Sequence, residues 1–210
     1  MKKTKATKGK SSSNSHKSKK DGKKDGKKDG KKDGKKDGKK DGKKSDDALR
    51  LDAIELLKSQ HRDVEALFAE LESQTESSGK MAVFKKIADQ LAMHTAIEEM
   101  HFYPAVRDKR TEDILLESLE EHLGIKRVIA DLLGLRAGEE TFDAKLKVLQ
   151  EQVEHHVEEE EQDLFPKVKR IFNQDTLLSI GAAMQTKHWQ LEGTNPRERV
   201  LVETKEAAPL

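Results

Sequence analysis

Apolar residues from position 46 onward recur at steps of three and four, which is the spacing of one face of an α-helix. This pattern predicts four long helices and one shorter helix, over residues 46–74, 80–108, 112–135, 142–172 and 175–190. The remaining residues, 194–210, are predicted to form a loose tail. Four long amphipathic helices joined by short loops predict an all-α, up-down-up-down four-helix bundle with a short C-terminal helix.

Two prolines and one threonine indicate where three of these helices break or begin. Pro104 and Pro166 stand at equivalent places in the second and fourth helices, where each is expected to kink or break its helix. Thr111, followed by two acidic residues, is expected to be the N-terminal cap of the third helix.

A pattern of histidines and glutamates repeats in the two halves of the chain. In each half, a lone His on one helix precedes a His-x3-Glu pair on the next, so that the ring and the carboxylate share one helix face. The interval between the two His is 33 residues in the first half and 34 in the second. The repeat therefore predicts two related helical hairpins whose polar groups meet at the bundle centre. These six residues are the candidate metal ligands, namely His61, His94, Glu98, His122, His156 and Glu160.

A lone His on an apolar stripe is usually a hydrogen-bonded core residue, and His61 alone would be interpreted in that way. The two carboxylates change the interpretation, because a buried carboxylate without a partner costs several kcal/mol or gives up its charge. Two of them near one point require cations, and two divalent ions leave room for a bridging oxide or hydroxide. Imidazole and carboxylate together suit iron, manganese and zinc, but an open dinuclear site favours iron.

Two glutamates and two aromatic residues lie next to these candidates in the sequence. Glu99 and Glu161 are expected either to be solvated or to orient a ligand. Tyr103 and Phe165 are expected to cap one end of the core, and Tyr103 also has a hydroxyl that can reach the site.

The charge along the chain divides it into a basic arm and an acidic body. Residues 1–44 contain 20 Lys and 6 Asp, whereas the other 166 residues contain 21 Lys or Arg and 34 Asp or Glu, so the net charge of +1 conceals the division. The predicted domains are a disordered basic arm over 1–45, the bundle over 46–174, and a short helix with a loose tail over 175–210. The absence of Cys excludes disulfides and thiolate metal sites.

The basic arm contains six tandem Lys-Lys-Asp-Gly units over residues 19–42. Without apolar residues such a segment is expected to be disordered, and it is either a solubilising spacer or an electrostatic arm for a polyanion. Any nucleic-acid contact through residues 1–44 would be independent of sequence, since no aromatic residue lies among the lysines. The chain has no apolar run of membrane-spanning length and no secretory signal, and we expect a cytoplasmic location.

The set of His and Glu residues, together with the Tyr103-Pro104 and Phe165-Pro166 pairs, resembles the hemerythrin-like (HHE cation-binding) family over about residues 50–172. The resemblance implies a four-helix bundle around a non-haem di-iron centre that binds dioxygen, senses oxygen or iron, or handles nitric oxide. Oxygen-carrying members have a second His one turn from the third-helix His, where this chain has Ser118 and Lys126. They also have an Asp in the fourth helix, where this chain has Glu160. The ligand set here is more similar to bacterial hemerythrin-like proteins linked to nitrosative stress and iron-centre repair.

The resemblance and the residues together predict a di-iron protein that binds dioxygen or nitric oxide, in oxygen or nitrosative stress or in iron handling. The alternative is an iron- or oxygen-responsive regulatory module, associated with DNA through its basic arm. Turnover as an oxidoreductase is left open, because the sequence contains no catalytic acid, nucleotide loop or flavin motif that would supply it.

Overall fold

The computed structural model of the protein describes residues 51–205 and 208, and the predicted basic arm over 1–45 lies outside these residues. All regular elements in the described part of the chain are helical. In chain order they are α1 (Ala53–Glu72), α2 (Ser77–Ile97), α3 (Tyr103–Val106), α4 (Glu112–Leu133), α5 (Glu140–Glu159), α6 (Phe165–Ile171), α7 (Gln174–Leu191) and α8 (Arg197–Glu203). None of the described helices is long and apolar enough to cross a membrane.

The long helices form the predicted four-helix bundle. Helix α1 packs against α2 and α4 packs against α5, so that each half of the chain is a helical hairpin. Helix α7 lies across α1, and α8 lies against α2 and α4. The fold prediction is therefore confirmed, including the short helix predicted over 175–190.

The bundle interior contains two apolar clusters. One contains Leu57, Phe102 and Phe165, and the other contains Val64 and Phe84 among its fully or nearly fully buried side chains. Along α1 the first cluster ends at Leu57 and the second begins at Val64. The polar candidates therefore occupy a layer between two apolar regions.

Helix α1 begins later than the sequence pattern predicted, at Ala53 and not at residue 46. Asp52 is the N-cap, and its carboxylate accepts hydrogen bonds from the backbone N–H groups of Ile54 at 2.9 Å and Glu55 at 3.0 Å. An N-cap of this kind stabilises a helix by about 1 kcal/mol. The start of α1 is therefore fixed by the side chain of Asp52.

Two π-helical turns interrupt the second and fourth long helices where proline was expected to break them. The turns span Glu98–Phe102 and Glu160–Leu164, and in each the next residue donates its N–H to the carbonyl five positions earlier. Pro104 and Pro166 lie at the second positions of the short helices that follow. Proline has no N–H, and in an α-helix its ring clashes with the carbonyl four residues earlier. The wider π-helical turn accommodates the proline without ending the helix.

Thr111 is the N-cap residue of α4, as predicted, but its side chain makes no capping hydrogen bond. Thr111 is the residue before α4, but its hydroxyl donates to the carbonyl of Val106 at 2.9 Å and accepts from the backbone N–H of Asp108 at 2.9 Å. The hydroxyl therefore closes the loop between α3 and α4 and makes no capping hydrogen bond to α4.

The C-terminal segment is also more ordered than predicted. Within the region expected to be a loose tail, helix α8 forms and buries Val200 completely. Asp89 on α2 accepts a hydrogen bond from the backbone N–H of Arg197 at 3.1 Å and pairs with its guanidinium. One buried valine and ion pairs to α2 and α4 hold this short helix, and none of them produces a helical period that the sequence could display.

Candidate metal centre

The four predicted histidines lie on four different long helices and are all buried at the bundle centre. They form two pairs, each within one helical hairpin. The ring centroids of His61 and His94 are 4.9 Å apart with planes inclined by 64°, and those of His122 and His156 are 4.7 Å apart, also at 64°. The near-identity of the two pairs shows that the sequence repeat is a structural two-fold.

The two predicted glutamates are fully buried and each opens a π-helical turn. The Oε2 atom of Glu98 lies 3.1 Å from Nε2 of His94 and 3.2 Å from Nε2 of His122. The Oε2 atom of Glu160 lies 3.4 Å from Nε2 of His61 and 3.9 Å from Nε2 of His156. Each carboxylate thus reaches from one histidine pair to the other.

All six residues predicted from the sequence come together in this layer. Their donor atoms form two overlapping groups, in each of which every atom lies within 4.8 Å of the others. The first group contains His61, His94, Glu98 and Glu160, and the second contains Glu98, His122 and His156. Because Glu98 belongs to both, the donors can surround two neighbouring positions.

Each of the four rings has an oxygen acceptor on its outer nitrogen. The Nδ1 atoms of His61, His94, His122 and His156 lie 2.9, 2.9, 3.0 and 2.8 Å from side-chain oxygens of Glu161, Gln60, Glu99 and Glu121, respectively. Since a carboxylate or an amide oxygen only accepts, each Nδ1 donates its proton. In the neutral form of each ring the lone pair is then on Nε2, which faces the centre, as in carboxylate–histidine–metal arrangements.

Sequence reasoning did not find two of these four acceptors, Gln60 and Glu121. Each directly precedes a lone His, so the repeat itself contained the signal. For Glu99 and Glu161 the structure supports ligand orientation, one of the two roles that the sequence left open.

In the second pair, the Nε2 atoms of the two rings lie within hydrogen-bond distance of each other. The Nε2 atoms of His122 and His156 are 3.1 Å apart. Burial lowers the pKa of His122 to about 4, so this ring is neutral at pH 7. Burial also lowers the pKa of His94 well below its usual range, and the charge of His61 adds to the effect. Neutral imidazoles with inward lone pairs are the form that binds a cation.

The two buried carboxylates affect each other's ionisation. Burial and the charge of Glu160 raise the pKa of Glu98 well above its usual range. Burial opposes ionisation of Glu160 as well, but the nearby rings of His156 and His61 lower the pKa of this group. Full ionisation of both carboxylates therefore requires more positive charge than the histidines supply.

Most of the inward-facing atoms lack a hydrogen-bond partner among the residues that the structure describes. They are Nε2 of His61 and His94, both carboxylate oxygens of Glu98, and Oε2 of Glu160. Each such buried group costs about 1–3 kcal/mol, and more when it is charged. A nitrogen and oxygen donor set of this kind fits divalent transition-metal ions, which would satisfy all of these atoms at once.

Aromatic rings cover the lone histidine of each hairpin, and here the two halves differ. Phe165 stacks on His61 with centroids 5.9 Å apart, and Tyr103 stacks on His122 with centroids 5.4 Å apart. The hydroxyl of Tyr103 donates to Oε1 of Glu160 at 3.0 Å. Burial and the charge of Glu160 raise the pKa of Tyr103 well above its usual range, so the phenol keeps its proton. Tyr103 therefore brings an O–H donor into the centre that Phe165 does not.

Two cavities adjoin the centre on the side of α1 and α5. An inner cavity of about 10 Å³ touches His61, His94 and His156 and is otherwise lined mainly by apolar side chains. An outer cleft of about 530 Å³ is open to solvent. Both are lined by His61 and by three valines, Val64, Val153 and Val157.

Comparison with known proteins gives two relatives of different kinds. A hemerythrin HHE cation binding domain-containing protein from Mycobacterium kansasii has a similar fold, with a TM-score of 0.62 at 23% sequence identity, over 73% of this chain and 99% of that one. A relative from Nostoc sp. (strain PCC 7120) named DNA nickase is 25% identical over 138 residues. The matched part is 66% of this chain but only 37% of that relative, so the chain spans little more than a third of its length.

The family itself is shown by the match of the chain to a family model. The model of the hemerythrin HHE cation binding domain matches residues 52–168, which begin at the cap of α1 and end in α6. This range is more than half of the chain and contains all six clustered histidines and glutamates. The protein therefore belongs to the hemerythrin HHE cation binding domain family.

Proposed function

We propose that this protein is a non-haem di-iron protein that binds a small diatomic molecule, dioxygen or nitric oxide, in oxygen or nitrosative stress or in iron handling. One observation carries the proposal. Buried Nε2 and carboxylate oxygen atoms without hydrogen-bond partners converge in two groups that share Glu98. A pair of cations would satisfy all of these acceptors at once within a small volume.

The two-fold arrangement suggests how the donors are divided. His61 and His94 would hold one iron ion, His122 and His156 the other, and Glu98 and Glu160 would lie between them. When bound, such a pair supplies electrons and open coordination positions to a diatomic ligand. Two imidazoles and two shared carboxylates would give each ion four protein donors. That number fills a tetrahedral zinc shell but leaves positions open on an ion of higher coordination number, such as iron.

The surrounding residues fix this geometry before any ligand arrives. The four acceptors on Nδ1 hold each ring in one tautomer and one orientation. Tyr103 holds a proton at Oε1 of Glu160, which orients that carboxylate and places an O–H donor beside the centre. The side chains therefore do not have to reorganise when the site is used.

The two cavities give the proposed ligand a size limit and a path. A volume of about 10 Å³ corresponds to roughly one small molecule of the size of water. Its apolar lining disfavours water and accepts an uncharged diatomic gas. The shared valines stand between this space and the outer cleft, so a small ligand has to pass them while larger molecules remain outside.

Metal analysis combined with an optical spectrum tests the proposal directly. The full chain, purified under iron-replete conditions without chelators, is expected to contain close to two irons and to show a di-iron absorption band that changes with dioxygen or nitric oxide. Glu98→Ala and Glu160→Ala are each expected to lose most of the iron. Glu154→Ala is a matched control, because Glu154 is exposed on α5 and contacts no candidate ligand.

Full iron content in both Glu98→Ala and Glu160→Ala would refute the proposed ligand arrangement. A wild-type protein that contains no transition metal would refute the proposed function altogether. Steady-state consumption of nitric oxide or peroxide with an added reductant would show turnover, whereas a single stoichiometric binding event would show a carrier or sensor.

A regulatory module associated with DNA is the second candidate. The relative named DNA nickase favours it, as do the 20 lysines within residues 1–44. Binding through lysines to phosphates is strongly reduced by salt. Full-length protein is expected to bind duplex DNA in a salt-sensitive manner, and a chain lacking residues 1–44 is expected to lose that binding. Unchanged binding after the deletion would remove this candidate.

Regulation would also require that metal binding alter the bundle. An ion that binds the folded state at a hundred times its dissociation constant stabilises it by about 2.7 kcal/mol. In a chain of this size that corresponds to a fall in melting temperature of roughly 5–11 °C on chelation. A melting temperature that does not respond to chelation would argue against metal-dependent regulation.

A further inference from the structure

The two-fold symmetry of the centre does not extend to the side chains that support it. His94 and His156 are equivalent ligand candidates in the two hairpins, and each donates from Nδ1 to the residue that precedes the lone His. For His94 that residue is Gln60, at 2.9 Å, and for His156 it is Glu121, at 2.8 Å. One ring therefore contacts a neutral amide and its counterpart contacts a carboxylate.

The charges around the other two rings do not offset this difference. The acceptor of His61 is Glu161, which is also paired with Arg62 and lies 3.9 Å from the ammonium of Lys58. Arg62 also pairs with Glu65 at 2.9 Å, so two cations face two carboxylates here, and Gln60 adds no charge on that side.

The acceptor of His122 is Glu99, which pairs with Lys126 at 2.9 Å. Lys126 also pairs with Glu203 on α8 at 3.2 Å, and Glu203 in turn lies 3.4 Å from the guanidinium of Arg199, so two cations face two carboxylates here as well. Glu121 adds a further negative charge on the same side. The half that contains His122 and His156 is therefore the more negative of the two.

Any preference for the His122–His156 half has to come from the outer acceptors, because the inner donors favour the other half. The group around His61 and His94 contains both carboxylates, whereas the group around His122 and His156 contains Glu98 alone. We propose that the two halves bind metal unequally, and that Glu121 makes the His122–His156 half the tighter one while Gln60 leaves the His61–His94 half weaker. This inference rests on the proposed function. A carboxylate that accepts the outer proton of a ligand histidine raises the basicity of the ring, and its loss typically lowers metal affinity by about 10- to 100-fold.

The unequal halves also differ in their access to solvent. His61, in the weaker half, lines the open cleft of about 530 Å³ between α1 and α5. Neither His122 nor His156 lines that cleft. The ion that is bound less tightly is thus also the one nearer to solvent, so it is the one expected to exchange.

A titration with Co²⁺ tests the inference, since cobalt suits the same nitrogen and oxygen donors and its visible absorption reports its coordination. The metal-free full-length protein is expected to bind Co²⁺ in two steps whose dissociation constants differ by about 10- to 100-fold. Glu121→Gln is expected to weaken the tighter step by a similar factor and to make the two steps nearly equal. Gln60→Glu is expected to strengthen the weaker step.

The controls separate a local effect from general electrostatics and from misfolding. Glu154→Gln removes a carboxylate from the same helix as His156 without touching a ligand candidate, and it is expected to leave both steps unchanged. Glu121 is partly exposed, so its isosteric replacement does not disturb the core, and circular dichroism of each metal-free variant checks the fold.

The outcomes distinguish this inference from the function on which it rests. Two equal steps in the wild-type protein, or a Glu121→Gln variant that loses only the weaker step, would overturn the inference and leave the dinuclear site intact. A wild-type protein that binds no Co²⁺ would remove the proposed function itself. Weakening of the tighter step by Glu121→Gln, with no change in Glu154→Gln, supports the inference.

Discussion

The hydroxyl of Tyr103 lies 3.0 Å from Oε1 of Glu160, and both side chains are almost entirely buried. Tyr103→Phe removes the hydroxyl and keeps the ring, so it leaves a buried carboxylate oxygen without its donor. We expect the free energy of unfolding of the metal-free protein to fall by about 1–3 kcal/mol, measured by urea denaturation. An unchanged free energy of unfolding would mean that the hydroxyl does not support Glu160.

Glu98 is expected to support metal binding at the expense of the stability of the metal-free fold. Glu98→Gln removes the cost of a buried carboxylate and its repulsion with Glu160, so the metal-free variant should be more stable by on the order of 1 kcal/mol. The same variant should lose most of its affinity for iron. Urea denaturation and metal analysis on one preparation check both parts, and a loss of stability in the metal-free variant would contradict the prediction.

Gly181 allows α7 to cross the start of α1 closely. A Cβ atom at this position would lie 2.7 Å from the carbonyl oxygen of Leu51 and 2.8 Å from the backbone nitrogen of Ala53. Backbone atoms cannot move aside cheaply, so Gly181→Ala should reduce the free energy of unfolding by about 1–3 kcal/mol. Gly124→Ala is the matched control.

At Gly124 the nearest atom to an added Cβ is the side-chain oxygen of Gln152, at 3.8 Å, which is an ordinary contact. Since alanine is the better helix former, Gly124→Ala in α4 should stabilise the protein by about 0.5–1 kcal/mol. The two substitutions are therefore expected to have opposite signs, and equal effects would contradict the close crossing of α7 over α1.

Val200 is expected to hold α8 against α2 and α4. Val200→Ala removes two buried methyl groups and should weaken the packing of α8 by about 2 kcal/mol. Val202→Ala, on the same helix but 65% exposed, should have little effect. Hydrogen exchange of the α8 amides is the measurement, and equal exchange in the two variants would contradict the packing of Val200.

The sequence predicted the bundle and the position of the candidate ligands because both follow from a short period. His61 and Glu98 lie on the same helical stripes as Leu57 and Leu91, so the pattern that defines the core also placed them at the centre. The sequence also contained the repeat, which becomes the two-fold of the structure.

The features that the sequence did not predict depend on contacts between distant residues. The role of Gln60 appears only when α2 brings His94 within 2.9 Å, and the sequence contained only its place directly before a lone His. Helix α8 is similar, since it is held by Val200 and by ion pairs of Arg197 with Asp89 and of Glu203 with Lys126, whose partners lie on distant helices. Thr111 was predicted correctly as the cap position, but its hydroxyl closes the preceding loop instead of capping α4.

Helix α8 covers one groove of the bundle and leaves another groove open to solvent. Between α2 and α4 the chain's own terminus occupies the surface, while the corresponding groove between α1 and α5 stays open. The groove beside His61 is thus one approach to the centre, and a second cleft of about 400 Å³ beside Glu99 and Tyr103 is another. Selection can therefore adjust the arrival of ligand at α1 and α5 without altering the wall that α8 covers.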